Sequence, residues 1–501
     1  VDSLIKRALN PVNLIMTIIY IIYCIYIIAR SKWDMNGFVT SDSAHYLQLA
    51  QNLLNGNGLN TANYVEGMST FFAVWPAGYP ILIALISLIT GTGVFWASKI
   101  VNMLCLALCF ILLKKLFGNR AILATLLFSI SSFCYLFIYT WSEVPFLLGM
   151  LWLVFGIKRY MESQLMRYIL HMIIAALLMF FSRYIGIIGG GIIGLIGFYY
   201  LFRKEWKPML TCWIAGSLSL IIAGVYLLIN FMKTGLFTGM ERIPRVESAS
   251  QFMNMLRESL ISEVNIFSVD LKASFIGMIV ITIIAIVLFI RPRNIISLFK
   301  LRKDQYTGPV LFLLTGTIYM IAIVYMRWSA YFDTFNFRLL APATFMFWLF
   351  IISWTTQLEN RDWKRWRGAV GLILISAFIF NIGYITYTAK NENTPTYKET
   401  TRKVNATYEQ IPKDSIVAFE NFHARYLRPD IQFIKVYFRP YFGSVESVHQ
   451  FKERITPNNA AAVFLQEKSL YGYQFDRSFV DLMEQAMNEE KDFIKLDDLS
   501  K

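Results

Sequence analysis

Charge is scarce in this chain. Of 501 residues only 16% are Asp, Glu, Lys or Arg, against 56% hydrophobic, and mean hydropathy is +0.49. A soluble protein of this length does not carry that balance, and several apolar runs reach membrane-spanning length. Histidine is rarer still, at four. There is no zinc-type Cys/His spacing and no Gly-x-x-x-x-Gly-Lys-Ser/Thr loop, which leaves out a zinc module and a P-loop phosphate cradle. The five cysteines, Cys24, Cys105, Cys109, Cys134 and Cys212, all fall inside apolar runs and read as small core residues. Internal repeats and low-complexity segments are absent. The net charge of +14 is no nucleic-acid footprint, because much of it sits in short loops between apolar runs.

Those loops set a topology. Basic clusters recur at Lys114, Lys115 and Arg120, at Lys158, Arg159 and Arg167, and at Arg203, Lys204 and Lys207. They return at Arg291, Arg293, Lys300, Arg302 and Lys303, and again at Arg361, Lys364, Arg365 and Arg367. The positive-inside rule places all of them in the cytoplasm, together with Lys6 and Arg7. Lys6 and Arg7 precede an apolar run with no small-residue cleavage site after it, which predicts a retained span. About eleven spans follow from the pattern, near 12–29, 95–113, 121–139, 145–158, 167–182, 184–203, 208–230, 273–291, 308–326, 338–356 and 368–387. The apolar piece 79–90 is too short to cross and is predicted to be a re-entrant or interfacial helix on the outer side.

This parity puts residues 30–94, the turn at 140–144, residues 231–272 and the tail outside. The expected architecture is a multi-span α-helical membrane domain over 1–390 and a small α/β extracytoplasmic domain over 391–501. In the tail, short apolar runs at 415–419, 431–438 and 460–465 alternate with helical patterns at 444–455 and 478–490.

The stretch Ser41-Asp-Ser-Ala-His-Tyr-Leu-Gln-Leu-Ala-Gln-Asn-Leu-Leu54 organises the first outer loop. Ser41 and Asp42 are good N-cap residues, and Asn55-Gly-Asn-Gly58 stops a helix. Tyr46, Leu49, Ala50, Leu53 and Leu54 repeat at helical spacing, so this is a short amphipathic helix with a carboxylate at its start. Asp42 is either the catalytic residue of a membrane enzyme or only a cap. Other ionisable residues gather near outer span ends: Lys99, Arg183, Arg327 and Arg338, with Glu66 and, in the turn Thr140-Trp-Ser-Glu-Val-Pro145, Glu143. Such groups at membrane depth are candidate functional residues, although any single arginine can snorkel to the headgroups. Arg242 and Arg245, in a Gly- and Pro-containing loop, have the bidentate geometry that grips phosphate. A helical pattern at 251–261 follows them.

Several of these pieces together resemble the GT-C glycosyltransferases. The form Asp42-x-x-x-Tyr46-x-x-x-Ala50-x-x-Leu53 resembles that family's first extracytoplasmic loop. Trp75-Pro-Ala-Gly-Tyr-Pro80 resembles the Pro-Pro-Gly-Tyr-Pro element of the lipid-A aminoarabinose transferase and protein O-mannosyltransferase branch, with Trp75 and Ala77 departing from the commonest form. Ser142-Glu143 resembles the second acidic motif. Ser182-Arg-Tyr184 and Phe337-Arg-Leu-Leu-Ala-Pro342 resemble the Arg-Tyr and Arg-Tyr-Leu-x-Pro signatures, the latter with Leu339 in place of Tyr.

The resemblance covers roughly residues 1–390. It implies transfer of a sugar from a polyprenyl-phosphate or polyprenyl-diphosphate donor, with inversion, to a lipid, protein or glycan acceptor outside the cytoplasm. With the absence of outer cysteines, it points to a bacterial inner membrane. A lipid phosphate leaves as a stabilised anion and needs cations more than an acid. One carboxylate is still required as base, which assigns Asp42, with Glu143 second. Arg183, Arg242, Arg245 and Arg338 are the phosphate candidates. His45, Tyr46, Glu66 and Lys99 are candidates for the acceptor or the sugar. No cofactor is required by the sequence. A divalent metal stays open, with Asp42, His45 and Glu143 as its candidate ligands. The competing reading is a multi-span transporter or lipid flippase built around the Gly-rich run 186–191. Against it, the ionisable residues lie at the rim rather than the midplane.

Overall fold

Among the described residues, seven helices are long and apolar enough to cross a membrane: Pro11–Trp33, Val94–Ser129, Glu143–Ser163, Tyr184–Phe202, Trp206–Thr234, Gly308–Ser329 and Phe337–Trp354. Three shorter apolar helices, Gly78–Thr90, Met166–Ser182 and Val370–Gly383, accompany them. The computed structural model describes residues 10–62, 69–239, 244–245, 247–264, 266–267, 307–330, 335–357, 361–391, 394–409, 411–413, 415–417, 422–433, 463–466 and 493–496. The expected span at 273–291 and the tail helices at 444–455 and 478–490 lie outside these residues.

The helices carry apolar side chains all round, as a bilayer solvent requires. In Pro11–Trp33, Leu14, Ile18, Ile21 and Ile25 form an exposed stripe at helical spacing, while Ile19, Tyr23, Tyr26 and Ile27 are buried on the other side. An integral membrane protein follows from such faces repeated over seven helices.

The chain forms two compact units. The first comprises 1–30, 102–228 and 242–392. In it, Glu143–Ser163 packs along Met166–Ser182, and the sequence allows the close approach at two glycines. A Cβ on Gly149 would lie 2.7 Å from Met179 Cγ, and one on Gly156 would lie 3.0 Å from Met172 Cγ. Small residues spaced along one face let helix backbones come together where the hydrophobic effect does not drive them.

The predicted single span at 121–139 is instead broken. Short helical pieces run to Ser129 and restart as Ser131–Ile138, with Ile130 extended at ψ 136°. The freed backbone groups find partners. Asn381 Nδ2 donates to the carbonyls of Ser129 at 2.7 Å and Ile266 at 2.8 Å, and Ser131 N–H donates to Ile266 O at 3.1 Å. Irregular backbone in an apolar setting persists only when satisfied in this way. The helical pattern at 251–261 is a helix, Ala249–Val264.

The second unit comprises 31–101, 229–241 and 393–501, so the tail packs as one body with the first loop. Its helix Ser41–Leu54 lies against Gly78–Thr90 and against Phe422–Leu427. At thirteen residues, Gly78–Thr90 is about 20 Å long, short of a bilayer core. Among the described residues of the tail, four strands run parallel in the order 432–433, 416–417, 463–466, 493–496. Helix Phe422–Leu427 makes the crossover between the first parallel pair. Beside it, Val404, Tyr408, Ile411, Val417, Ala424 and Ile431 form a buried cluster.

Candidate active site

In the first unit, three chain segments bring one carboxylate and two guanidiniums together. Glu143 begins the helix Glu143–Ser163 and is fully buried. Arg183 follows the last residue of Met166–Ser182, where the chain turns extended before the 3-10 turn Tyr184–Ile187. That turn is tight: a Cβ on Gly186 would fall 2.2 Å from the carbonyl of Met179, so only glycine lets the backbone return over the helix end. Arg338 is the second residue of Phe337–Gln357.

Both arginines pair with Glu143 Oε1, Arg183 through Nη1 and Arg338 through Nε. Glu143 Oε2 is buried with no hydrogen-bond partner among the described residues. The Arg338 guanidinium also lies 4.7 Å from the Trp141 ring centre, and Trp141 stacks on Tyr139 at 3.9 Å. The arginine side chains keep 17% and 13% of their surface, whereas Glu143 keeps none. The cluster therefore carries a net charge of +1 and turns its cations, not its carboxylate, toward solvent. Close by in the chain, the Leu339 carbonyl in the Pro342-containing helix accepts from Tyr319 Oη at 3.0 Å.

Arg245 lies in other company, 3.7 Å from the Trp328 ring centre, and its Nη1 has no hydrogen-bond partner among the described residues. The adjacent Arg327, fully buried, bonds Glu247 at 2.5 Å and holds that carboxyl below the usual carboxylate range. Arg242 and Glu66 lie outside the described residues.

In the second unit, Ser41–Leu54 presents Asp42, half-buried, in its first turn. The N-cap expected at Ser41 or Asp42 is instead Thr40. Its Oγ1 accepts from Ser43 N–H at 3.4 Å and shares a 3.0 Å bond with Ser43 Oγ. Asp42 is thus not the residue that closes the helix end.

One turn on, His45 and Tyr46 are buried against the Trp75–Pro80 segment. The Trp75 ring lies 5.0 Å from His45, 5.8 Å from Tyr46 and 6.0 Å from Phe72, and Tyr46 meets Tyr79 edge-on at 5.6 Å. The aromatic residues of the Pro-rich turn therefore fix the rotation of the helix that carries Asp42. Lys99 is fully buried, its ammonium 5.0 Å from the Phe95 ring centre. Arg425, from the tail, is also fully buried, with Nη1 3.0 Å from each ring nitrogen of His45.

ArnT from Cupriavidus metallidurans bound to undecaprenyl phosphate superposes with a TM-score of 0.56 at 13% identity, over 89% of this chain and 88% of that one. Its apo state gives 0.55 at 11% identity over 90% of both chains. The oligosaccharyltransferase of Archaeoglobus fulgidus gives 0.48 at 11% identity, over 83% of this chain and 62% of that one. The chain shares the fold of ArnT. No family model matches it, and no curated protein matches it by sequence.

A metal fits these residues poorly. In the first unit Glu143 already pairs with two guanidiniums, and in the second the Arg425 guanidinium lies against the imidazole of His45. Among the described residues, no group of three or more His, Cys, Asp or Glu is placed to hold a metal ion. Arg425 escaped the sequence reading because Phe-His-Ala-Arg-Tyr-Leu, 422–427, carries no motif, and its partner lies far away in the chain. Glu143, Arg183 and Arg338 each stand out in the sequence, and the structure joins the three through one carboxylate oxygen.

Proposed function

We propose that this protein is a membrane glycosyltransferase that moves a sugar from a polyprenyl-phosphate or polyprenyl-diphosphate donor to an acceptor hydroxyl or amine on the extracytoplasmic side. The observation that carries the reading is the fold shared with ArnT, whose structure holds undecaprenyl phosphate, in a chain that also builds a paired-arginine site. In this mechanism, the Asp42 carboxylate takes the proton of the acceptor. The acceptor oxygen or nitrogen forms its bond to the anomeric carbon from the face opposite the leaving group. The anomeric carbon–oxygen bond breaks, and its electron pair departs with the lipid phosphate, so the anomeric centre inverts. Arg183 and Arg338 face the charge of that phosphate, and Glu143 holds them in place.

The test is transfer by the purified protein in lipid vesicles. Polyprenyl-phosphate sugars labelled in the sugar are offered with envelope lipid, glycan or protein acceptors, and release of unglycosylated polyprenyl phosphate is measured. Release that requires an acceptor and is lost in Asp42→Asn supports the reading. Full activity in that variant removes Asp42 as base. Movement of the intact labelled lipid between leaflets without sugar release moves the assignment to a flippase.

A further inference from the structure

The second unit holds another concave surface, at the end of the Ser41–Leu54 helix opposite Asp42. It is an open groove of about 1150 Å³. Asp42 and Asn55 are separated by the length of that helix, about 20 Å. The groove is larger than most small-molecule pockets, whose range is roughly 300–1,000 Å³.

Its walls are mixed in a particular way. One side is aromatic. Trp96 is half-buried beside Phe95, which stacks on Tyr397 at 3.8 Å with the rings 14° from parallel. Tyr397 Oη in turn bonds Tyr426 Oη at 2.8 Å, so the platform is locked from behind. A second side is amide: Gln51 donates to Asn55 Oδ1 at 3.1 Å at the end of the helix. The third side is a fixed ion pair. Arg428 forks onto both oxygens of Asp430 at 2.7 to 3.2 Å. Two further N–H groups go to the carbonyls of Tyr408 and Ile411. With four of its five N–H groups engaged in this way, Arg428 is ill placed to grip an anion bidentately. Asp430, whose carboxyl Arg428 keeps below the usual carboxylate range, presents rigid acceptor oxygens.

Among the described lining residues the charges cancel, Glu409 and Asp430 against Lys413 and Arg428. A phosphate or a lipid headgroup would call for an excess of cations, and an acyl tail for an apolar lining. Flat aromatic surface beside amide and carboxylate acceptors suits the apolar C–H face and the hydroxyls of uncharged sugar rings. From this juxtaposition we infer that the groove binds a neutral saccharide chain, with sugar rings lying on Trp96 and hydroxyls on Asn55 and Asp430. That the chain belongs to the acceptor of transfer rests on the function proposed above; that the groove takes saccharide does not.

The test is binding to the full-length protein in detergent, with chitotetraose, mannotetraose and maltotetraose as neutral probes and undecaprenyl phosphate as control. Intrinsic fluorescence and calorimetry give the constants. At least one tetrasaccharide is expected to bind at about 1 mM or tighter, and Trp96→Ala to weaken it about tenfold or more. Asn55→Ala, at an exposed position that tolerates truncation, weakens the same sugar severalfold, and undecaprenyl phosphate binding does not change. If no tetrasaccharide binds, or if binding is indifferent to both substitutions, the inference is wrong. Sugar binding lost in both variants, in a protein that never transfers sugar, upholds the groove and overturns the transferase reading instead. Loss of sugar binding with an unchanged acceptor KM removes the acceptor from the groove.

Discussion

Arg425 and His45 are separated by 380 positions in the chain, yet Arg425 Nη1 sits 3.0 Å from both nitrogens of the His45 ring. The contact joins the tail to the helix that carries Asp42, and both side chains are buried. Replacing Arg425 by Ala removes the cation and leaves a void against the imidazole. The expected result is a stability loss of roughly 1–3 kcal/mol by thermal or denaturant unfolding. On the proposed transfer, kcat falls more than donor KM, because the loop helix loses its position while Arg183 and Arg338 are untouched. Arg425→Lys, which keeps the charge but not the planar fork, recovers part of the rate. An equal loss in KM alone would place Arg425 in donor binding.

Glu143 is the counter-ion of two arginines at once, and the consequence of removing it is physical before it is catalytic. Glu143→Ala leaves two guanidiniums facing each other in a buried setting. Breaking a buried ion pair by removing one partner costs on the order of 3–5 kcal/mol, so this variant should lose most of its folded yield. Arg183→Ala and Arg338→Ala each relieve the crowding and are tolerated better. Each should weaken binding of polyprenyl phosphate by about tenfold, and the double variant by less than the product, because the two act on one anion through one carboxylate. Binding measured by a labelled lipid analogue in detergent checks both statements.

Much of this was legible in the residues, because the dominant forces are local or periodic. Apolar length announces a membrane chain. Helical spacing and a terminal Asn-Gly pair delimit Ser41–Leu54, and an acidic residue beside a tight Trp-Ser-Glu-Val-Pro turn marks Glu143. The break at Ile130 was not legible. Its cause lies in Asn381 and Ile266, which capture the backbone groups that a continuous helix would have used. Nor was Thr40 readable as the cap, since Ser41 and Asp42 beside it are equally good candidates and only the dihedral angles separate them. Arg425 illustrates the general limit: a long-range contact between two polar residues leaves no period and no spacing.

Thr40 and Asp42 separate two roles that the sequence allowed to coincide. Thr40→Ala removes the cap oxygen of the first-loop helix and should cost about 1 kcal/mol of stability, with little effect on transfer once the protein is folded. Asp42→Asn leaves that cap in place, so its unfolding transition should match the parent protein. Its transfer rate should drop by about 10²–10⁴-fold, the usual contribution of a positioned general base. The two variants together form a control: stability lost without rate in one, rate lost without stability in the other. If Asp42→Asn unfolds as Thr40→Ala does and keeps its rate, Asp42 is structural.

Glu263 gives the fold a pH dependence of its own. The side chain ends the helix Ala249–Val264, is buried, and accepts from Thr344 Oγ1 at 2.7 Å, while burial pushes its carboxyl from 4.5 up to about 8. The folded protein therefore binds a proton here that the unfolded chain releases between pH 4.5 and about 8. Because the native state holds more protons in that window, stability falls as pH rises through it. The contribution is fully present below pH 4.5 and is lost above about 8. Glu263→Gln keeps the shape and the acceptor oxygen but cannot ionise. Its midpoint of denaturation in mild detergent should change little at pH 5 and exceed that of the parent protein at pH 8.5. Parallel curves for the two proteins across that range would mean that Glu263 stays ionised in the fold, with a cation supplying its charge balance.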